Sequence, residues 1–307
     1  MDLIIFGIAY GLIWLISWLP LKILYFFSDV CFFFIWYIIP YRKKLVFKNL
    51  TLSFPEKSQK EIQTIAKNSY RHFCDNFIES MAAIHLNLEE HKKRYKLLNI
   101  EVLNEFYTSG KDILLISAHY GNWEWFSTIP LFTHYNVLGI YKPLHNEYFD
   151  RMFCKLRSKY GAIPVTTDKT FRTIIDYQQK KIPIMPYFLA DQRPRWKEIQ
   201  HWIRFLNQET SVILGPEKIA RKLGMAVVFI KHLKVRRGYY ESVFVPVTSD
   251  PRQTKPYEIT EKYFQHLESV IRESPAEYLW THNRWKHTWK KDQYIRPASS
   301  GSSAPGH

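Results

Sequence analysis

The spacing of apolar residues changes twice along this chain, and those changes divide it into an anchor, a body and a tail. From Leu3 to Leu21 no charged residue occurs. A helix of that length, rising about 1.5 Å per residue, nearly matches a hydrocarbon core roughly 30 Å thick. A second apolar stretch, Ile23 to Tyr41, is interrupted only by Asp29 and is crowded with Phe, Tyr and Trp; Pro20 and Lys22 separate the two. Aromatic side chains favour the headgroup boundary, so the first stretch is expected to span or insert deeply and the second to lie at the interface. The competing reading is a buried helical hairpin of a soluble protein.

Beyond residue 41 the pattern becomes that of a globular body. Ser58-Gln59-Lys60-Glu61 is a capping box just before apolar residues at helical spacing, Ile62, Ile65, Ala66, Tyr70, Phe73 and Phe77 among them. A long amphipathic helix is therefore expected to run to about Ala83. Short apolar runs predict strands at Ile113–Ser117, Asn136–Tyr141, Ile182–Leu189, Ala226–Val235 and Tyr240–Val247. Helices are expected to begin near Glu124, Glu147, Thr170, Gly215 and Glu258. Alternation of this kind predicts an α/β fold, a mixed, partly parallel sheet flanked by helices, with an N-terminal membrane helix. The expected division is a membrane anchor over residues 1–41, a catalytic domain over 42–296 and a disordered Ser/Gly/Pro-rich tail over 297–307.

Charge narrows the partners. The 307 residues carry 43 Lys and Arg against 28 Asp and Glu, a formal net charge of +15. Such an excess implies an acidic partner. The basic residues are spread along the chain rather than gathered on one element, which argues against nucleic acid. Arg42, Lys43, Lys44 and Lys48 follow the apolar stretches directly, whereas Met1-Asp2 carries no base. By the positive-inside bias the body is expected on the cytoplasmic face, behind an uncleaved anchor. Cys31, Cys74 and Cys154 have neither zinc spacing nor a disulfide pattern.

The candidate chemistry lies directly after the apolar run 113–117, in His119-Tyr120-Gly121-Asn122-Trp123-Glu124. On one regular helix, residues five apart are displaced by about 140° and do not face each other. They meet if His119 ends a strand and a helix starts near Asn122, with Gly121 permitting the turn and Asn122 capping. Glu124 is then expected to orient the imidazole and raise its basicity, leaving the other nitrogen to take a proton. The bland alternative is a structural histidine at a strand end. Further along come Tyr141-Lys142-Pro143-Leu144-His145-Asn146, then Arg151 and Arg157, then Asp191-Gln192-Arg193 after a strand, and last Trp280-Thr281-His282-Asn283-Arg284-Trp285-Lys286. The Trp280–Trp289 segment, with its basic residues, reads as an interfacial anchor in preference to simple packing. His282 and His287 lack a third partner for a metal.

Taken in this order and spacing, these blocks resemble the late acyltransferases of lipid A synthesis, the bacterial lauroyl/myristoyl transferase family within the lysophospholipid acyltransferase superfamily. The resemblance runs from the apolar start to about Lys290. It implies a glycerolipid acyltransferase-like fold at the inner membrane and transfer of an acyl group from acyl carrier protein to a hydroxyl of a phosphorylated glycolipid, without a metal or other cofactor. On that resemblance His119 is the general base and Glu124 its carboxylate partner, with Arg157 and Asp191 completing the catalytic set. Asn122, Tyr141, Lys142, Asn146, Arg151, Gln192 and Arg284 are the expected substrate contacts. Two departures, Lys142 in place of the usual Arg and Phe205-Leu206-Asn207 in place of Phe-Phe-Gly, bear on the acceptor rather than on the reaction. Other acceptors (a glycerolipid, aminolipid or mannolipid), a thioesterase using water, and a non-catalytic basic membrane-binding module are the alternatives.

Overall fold

The computed structural model describes residues 2–288. The helices are α1 (Asp2–Ile16), α2 (Leu21–Phe33), α3 (Lys43–Ser53), α4 (Gln59–Ala82), α5 (Leu88–Arg94), α6 (Glu101–Thr108), α7 (Glu147–Arg157), α8 (Thr170–Gln179), α9 (Gly215–Leu223) and α10 (Glu258–Glu273). The strands are β1 (Tyr95–Leu97), β2 (Ile113–Ser117), β3 (Asn136–Tyr141), β4 (Ile163–Thr166), β5 (Ile184–Leu189), β6 (Trp202–Phe205), β7 (Gln208–Ser211), β8 (Ala226–Arg236) and β9 (Tyr239–Thr248). Seven of them form one sheet in the order β1-β9-β8-β2-β5-β3-β4. Every neighbouring pair runs parallel except β8 with β9, so the sheet is mixed and mostly parallel, as the alternation predicts.

The central strand β2 is buried over its whole length, which is why it reads as an unbroken apolar run. Its side chains alternate between two cores. Leu114 and Ile116 join the larger one with residues of α3, α4 and α10; Ile113 and Leu115 join the other with Leu103 of α6 and with Phe126 and Ile129. The capping box at the start of α4 is formed, with Ser58 Oγ accepting from the Glu61 backbone and Glu61 receiving the Ser58 N–H.

The apolar start is arranged differently from the expectation. The first helix ends at Ile16, 15 residues long, and is too short to cross a hydrocarbon core of about 30 Å. Ser17 ends it, its hydroxyl bonding back to the Trp14 carbonyl, and Pro20 precedes α2. The helix long and apolar enough to cross a membrane is the second, Leu21–Ile38, in which a π-helical turn continues α2. It is also part of the fold. Leu21 and Leu24 pack with Ile78 and Ala82 of α4, and Phe32 and Trp36 enter the main core. Its opposite side leaves Phe26, Phe33, Tyr37 and Ile38 each about half to two-thirds exposed. The charge that interrupts the stretch, Asp29, is paired with Arg237 from the β8–β9 hairpin at 2.7 and 3.1 Å. The tail at 297–307 and Trp289, Lys290 and Lys291 lie outside the described residues.

Trp36 is 5% exposed against the core. Trp36→Ala is expected to lower stability by about 3–5 kcal/mol, measured by chemical denaturation of the detergent-solubilised chain. A loss below about 0.5 kcal/mol, the range of ordinary surface substitutions, would show that α2 rests on the body without contributing to it.

Candidate active site

The site forms where two parallel neighbours end together. Strands β2 and β5 pair with Ser117 opposite Leu189, and the Ala190 N–H donates to the Ser117 carbonyl at 3.1 Å. Continuing both chains by two residues sets His119 beside Asp191. His119 Nδ1 lies 2.8 Å from Asp191 Oδ1, and the His119 backbone N–H donates to the same oxygen at 3.1 Å. Asp191 is 2% exposed, so its charge is held among fixed donors rather than water. With Nδ1 donating to Asp191, the lone pair is left on Nε2. That nitrogen receives the Gln192 side-chain amide at 3.2 Å. The Trp123 ring stands edge-on to the imidazole, centroids 5.2 Å apart.

The turn carrying His119 is fastened from both sides. Gly121 has φ +59°, and a Cβ there would come within 3.0 Å of His232 Cβ, so only glycine fits without displacing β8. Its carbonyl accepts from Asn76 Nδ2 on α4 at 2.8 Å, and its N–H donates to the Glu277 carbonyl. The Leu279 N–H donates to the His119 carbonyl at 3.1 Å. After the turn the chain enters a 3-10 helix, Trp123–Phe132, rather than an α-helix.

That geometry reassigns two expected partners. Glu124 makes no hydrogen bond to His119; Arg157, at the end of α7, clamps it through Nε at 3.0 Å and Nη2 at 2.7 Å. The carboxylate that holds the imidazole is Asp191. Glu124 acts on His119 only through space, by its charge. Asn122 does not cap the helix: it is buried, and its amide donates to Glu79 Oε2 at 2.6 Å. Sequence spacing favoured Glu124 because it is close along the chain, whereas Asp191 is close only through the pairing of β2 with β5.

Of the remaining expected residues, Gln192 and Arg284 lie next to the pair. Arg284 is 2% exposed, its guanidinium has no hydrogen-bond partner among the described residues, and its Cζ sits 5.6 Å from the Phe264 ring centroid. It is thus a buried cation whose charge favours ionised Asp191, not an open contact surface. Tyr141 lies under the Arg157 guanidinium at 5.7 Å and donates its hydroxyl to Asp150. Asn146 caps α7, accepting from the Tyr148 and Phe149 N–H groups, so its side chain is engaged by backbone. The Arg151 side chain is 75% exposed and pairs with Glu147 one turn away, and Lys142 is exposed. The described tryptophans of the Trp280 segment serve packing: Trp280 is 1% exposed and its indole donates to the Pro275 carbonyl, while Trp285 donates to Thr210.

Burial alone would lower the His119 pKa; the charge and hydrogen bond of Asp191, with the charge of Glu124 added, outweigh it and hold it above the usual 6.5. For Asp191, burial pushes upward, but His119 overcomes this and keeps the carboxyl below its ordinary value. The arrangement can therefore take a proton at Nε2 and return it, with the positive imidazolium stabilised by a fixed anion.

Residues 3–287 match the family described as bacterial lipid A biosynthesis acyltransferase. The chain is also similar to the lipid A biosynthesis lauroyltransferase of Escherichia coli (strain K12), at 21% identity over 279 residues, covering 90% of this chain and 89% of that protein.

An imidazole accepts a proton only when neutral, so activity that depends on His119 should fall as pH drops through its raised pKa, placing the acid limb above 6.5. Asp191→Asn removes the anion that raises it. The limb should move to lower pH while the plateau rate falls by about 10²–10⁴-fold, read from a pH profile of kcat/KM. An unmoved limb would show that Asp191 does not set the basicity of His119.

Proposed function

The chain belongs to the bacterial lipid A biosynthesis acyltransferase family, and on that premise we propose that it moves a fatty acyl group from acyl carrier protein to a hydroxyl of a lipid A precursor, with His119 as general base. The observation that carries this reading is the pair formed by His119 Nδ1 and buried Asp191 at 2.8 Å, which leaves Nε2 free of any carboxylate at the sheet edge.

In the proposed reaction the acceptor hydroxyl displaces the Gln192 amide from Nε2. As its oxygen attacks the thioester carbonyl carbon, the hydroxyl proton passes to Nε2. The tetrahedral intermediate then expels the thiolate as the C–S bond breaks, and the imidazolium returns the proton to sulfur. Asp191 orients the ring and offsets its transient charge; Glu124, held by Arg157, adds a second negative charge nearby. General-base catalysis of this kind contributes about 10²–10⁴-fold, and positioning supplies much of the rest. No acyl-enzyme is required, since the thioester is already activated.

Two further features support an acidic, lipid-borne acceptor and an acidic protein donor. The net charge of +15 favours encounter with both. The hairpin joining β8 to β9 continues past the sheet edge where His119 lies and bonds through Arg237 to α2, so the reactive edge and the long apolar helix are on one side of the molecule. We infer that this helix holds the site at the cytoplasmic face of the inner membrane.

The test incubates the purified chain with acyl carrier protein thioesters and a panel of lysolipid and lipid A precursor acceptors. His119→Ala should lower transfer by about 10²–10⁴-fold while the far-UV circular dichroism stays that of the folded chain; undiminished transfer would reject the base assignment. Free fatty acid as the sole product would identify a thioesterase, and transfer only to a glycerolipid would change the acceptor. Replacing exposed Phe26 and Phe33 by Glu should release the folded protein from membranes, assayed by flotation. Unchanged flotation would place the membrane contact elsewhere.

A further inference from the structure

A cleft of about 510 Å³ opens between α2, α4 and the β8–β9 hairpin, lined by Asp29, Phe32, Asn68, Arg71, His72, Asp75, Lys234 and Arg237. Four of these, Asn68, Arg71, His72 and Asp75, lie at i, i+3, i+4 and i+7 on α4 and so share one stripe of the helix. The cleft is not part of the catalytic turn. His72 forms the partition: its Nε2 contacts the Gly121 carbonyl at 3.2 Å on one side, and its Nδ1 contacts Lys234 Nζ at 3.3 Å on the other.

Three cations face two carboxylates there, and the carboxylates are already occupied. Both oxygens of Asp29 accept from Arg237, at 2.7 and 3.1 Å. Asp75, 3% exposed, accepts from Arg237 at 2.7 and 3.0 Å and from the Ser28 hydroxyl at 2.7 Å. Arg237 is thus committed to the two carboxylates, and the donors left to line the cleft are those of Arg71, Lys234 and Asn68. Arg71 has no carboxylate partner among the described residues; its guanidinium lies 4.9 Å from the Phe32 ring centroid. Lys234 stays 3.8 Å from Asp75 and has a third N–H beyond those turned to Asp75 and His72. Burial holds His72 neutral, its pKa pushed down to about 3, so it accepts from Lys234 and does not add to the charge. Asn68 adds an exposed amide.

We propose that this cleft binds a phosphate group, taken from a lipid at the membrane surface, between Arg71, Lys234 and Asn68. A phosphate monoester presents several acceptor oxygens, which matches unspent N–H donors from a guanidinium, an ammonium and an amide. Phe32 and Asp29 of the cleft are on α2, whose exposed face carries Phe26, Val30 and Phe33, so the opening adjoins the surface best suited to contact acyl chains. The site is separate from the imidazole and its occupancy is read without turnover, so it stands or falls independently of the proposed reaction.

The test places the full chain in phosphatidylcholine nanodiscs and titrates it calorimetrically with short-chain phosphatidic acid, short-chain phosphatidylcholine and inorganic phosphate. Phosphatidic acid should bind saturably and phosphatidylcholine should not. The double variant Arg71→Gln, Lys234→Gln should weaken phosphatidic acid binding by about 25-fold, about fivefold for each cation. Arg71→Lys with Lys234→Arg should restore most of it. Inorganic phosphate competing at the same site would show that the phosphate group alone is recognised; failure to compete, with the variant effect intact, would assign the lipid-borne phosphate. Equal binding of phosphatidylcholine would overturn the proposal. So would an equal loss in the charge-matched control Lys180→Gln, Arg195→Gln, whose side chains are 59% and 75% exposed.

Discussion

The register between β2 and β5 is the constraint on which the rest depends. Side chains alternate along a strand, so a slip of one residue would turn every apolar side chain of β2 to the wrong core and separate His119 from Asp191. The register is held by burial on both faces: Ile113, Leu114 and Leu115 are each fully buried, and no shift leaves them in equivalent surroundings. The pairing of His119 with Asp191 is thus a by-product of core packing several residues away. Its position at the carboxyl ends of parallel strands is where such sheets gather their sites.

Around that pair the charges are arranged in two linked sets. Asp191 lies between His119 and the buried Arg284, and Glu124 lies between His119 and Arg157. Isolated, any one of these groups would be costly to bury; together each anion has a cation or a proton donor within reach. Arg284 is the least satisfied member, since its guanidinium lacks hydrogen bonds and relies on nearby anionic and aromatic groups. Such an unmet need is uncommon in a folded core, and here three unpaired nitrogens belong to one guanidinium near the His119–Asp191 pair.

Much of the scaffold was legible in the sequence because it is local. The capping box before α4, the apolar run of β2 and the starts of α7, α8, α9 and α10 all follow from residues within one or two turns. The histidine at the strand end was legible too, since it combines a buried run with a glycine turn. Its partner was not. Glu124 is five residues away and Asp191 seventy-two, and the order β2-β5 is set by tertiary packing that no local pattern carries. The Asp191-Gln192 block after a strand was the available signal, but it acquires meaning only once its strand is known to neighbour β2. The aromatic, basic Trp280 segment misled for the opposite reason: its composition suits an interface, whereas the indole is sequestered by the Pro275 carbonyl and Phe54.

Glu79 gives the architecture a property of its own. Fully buried on α4, this carboxylate accepts from Tyr25 of the apolar helix at 2.7 Å, from Tyr240 of β9 at 2.9 Å and from Asn122 of the reactive turn at 2.6 Å. A single side chain that meets neither solvent nor substrate therefore acts as a spacer of fixed length between helix and imidazole. The distance from the apolar helix to the turn that carries His119 is therefore set inside the protein, by one carboxylate and its three donors.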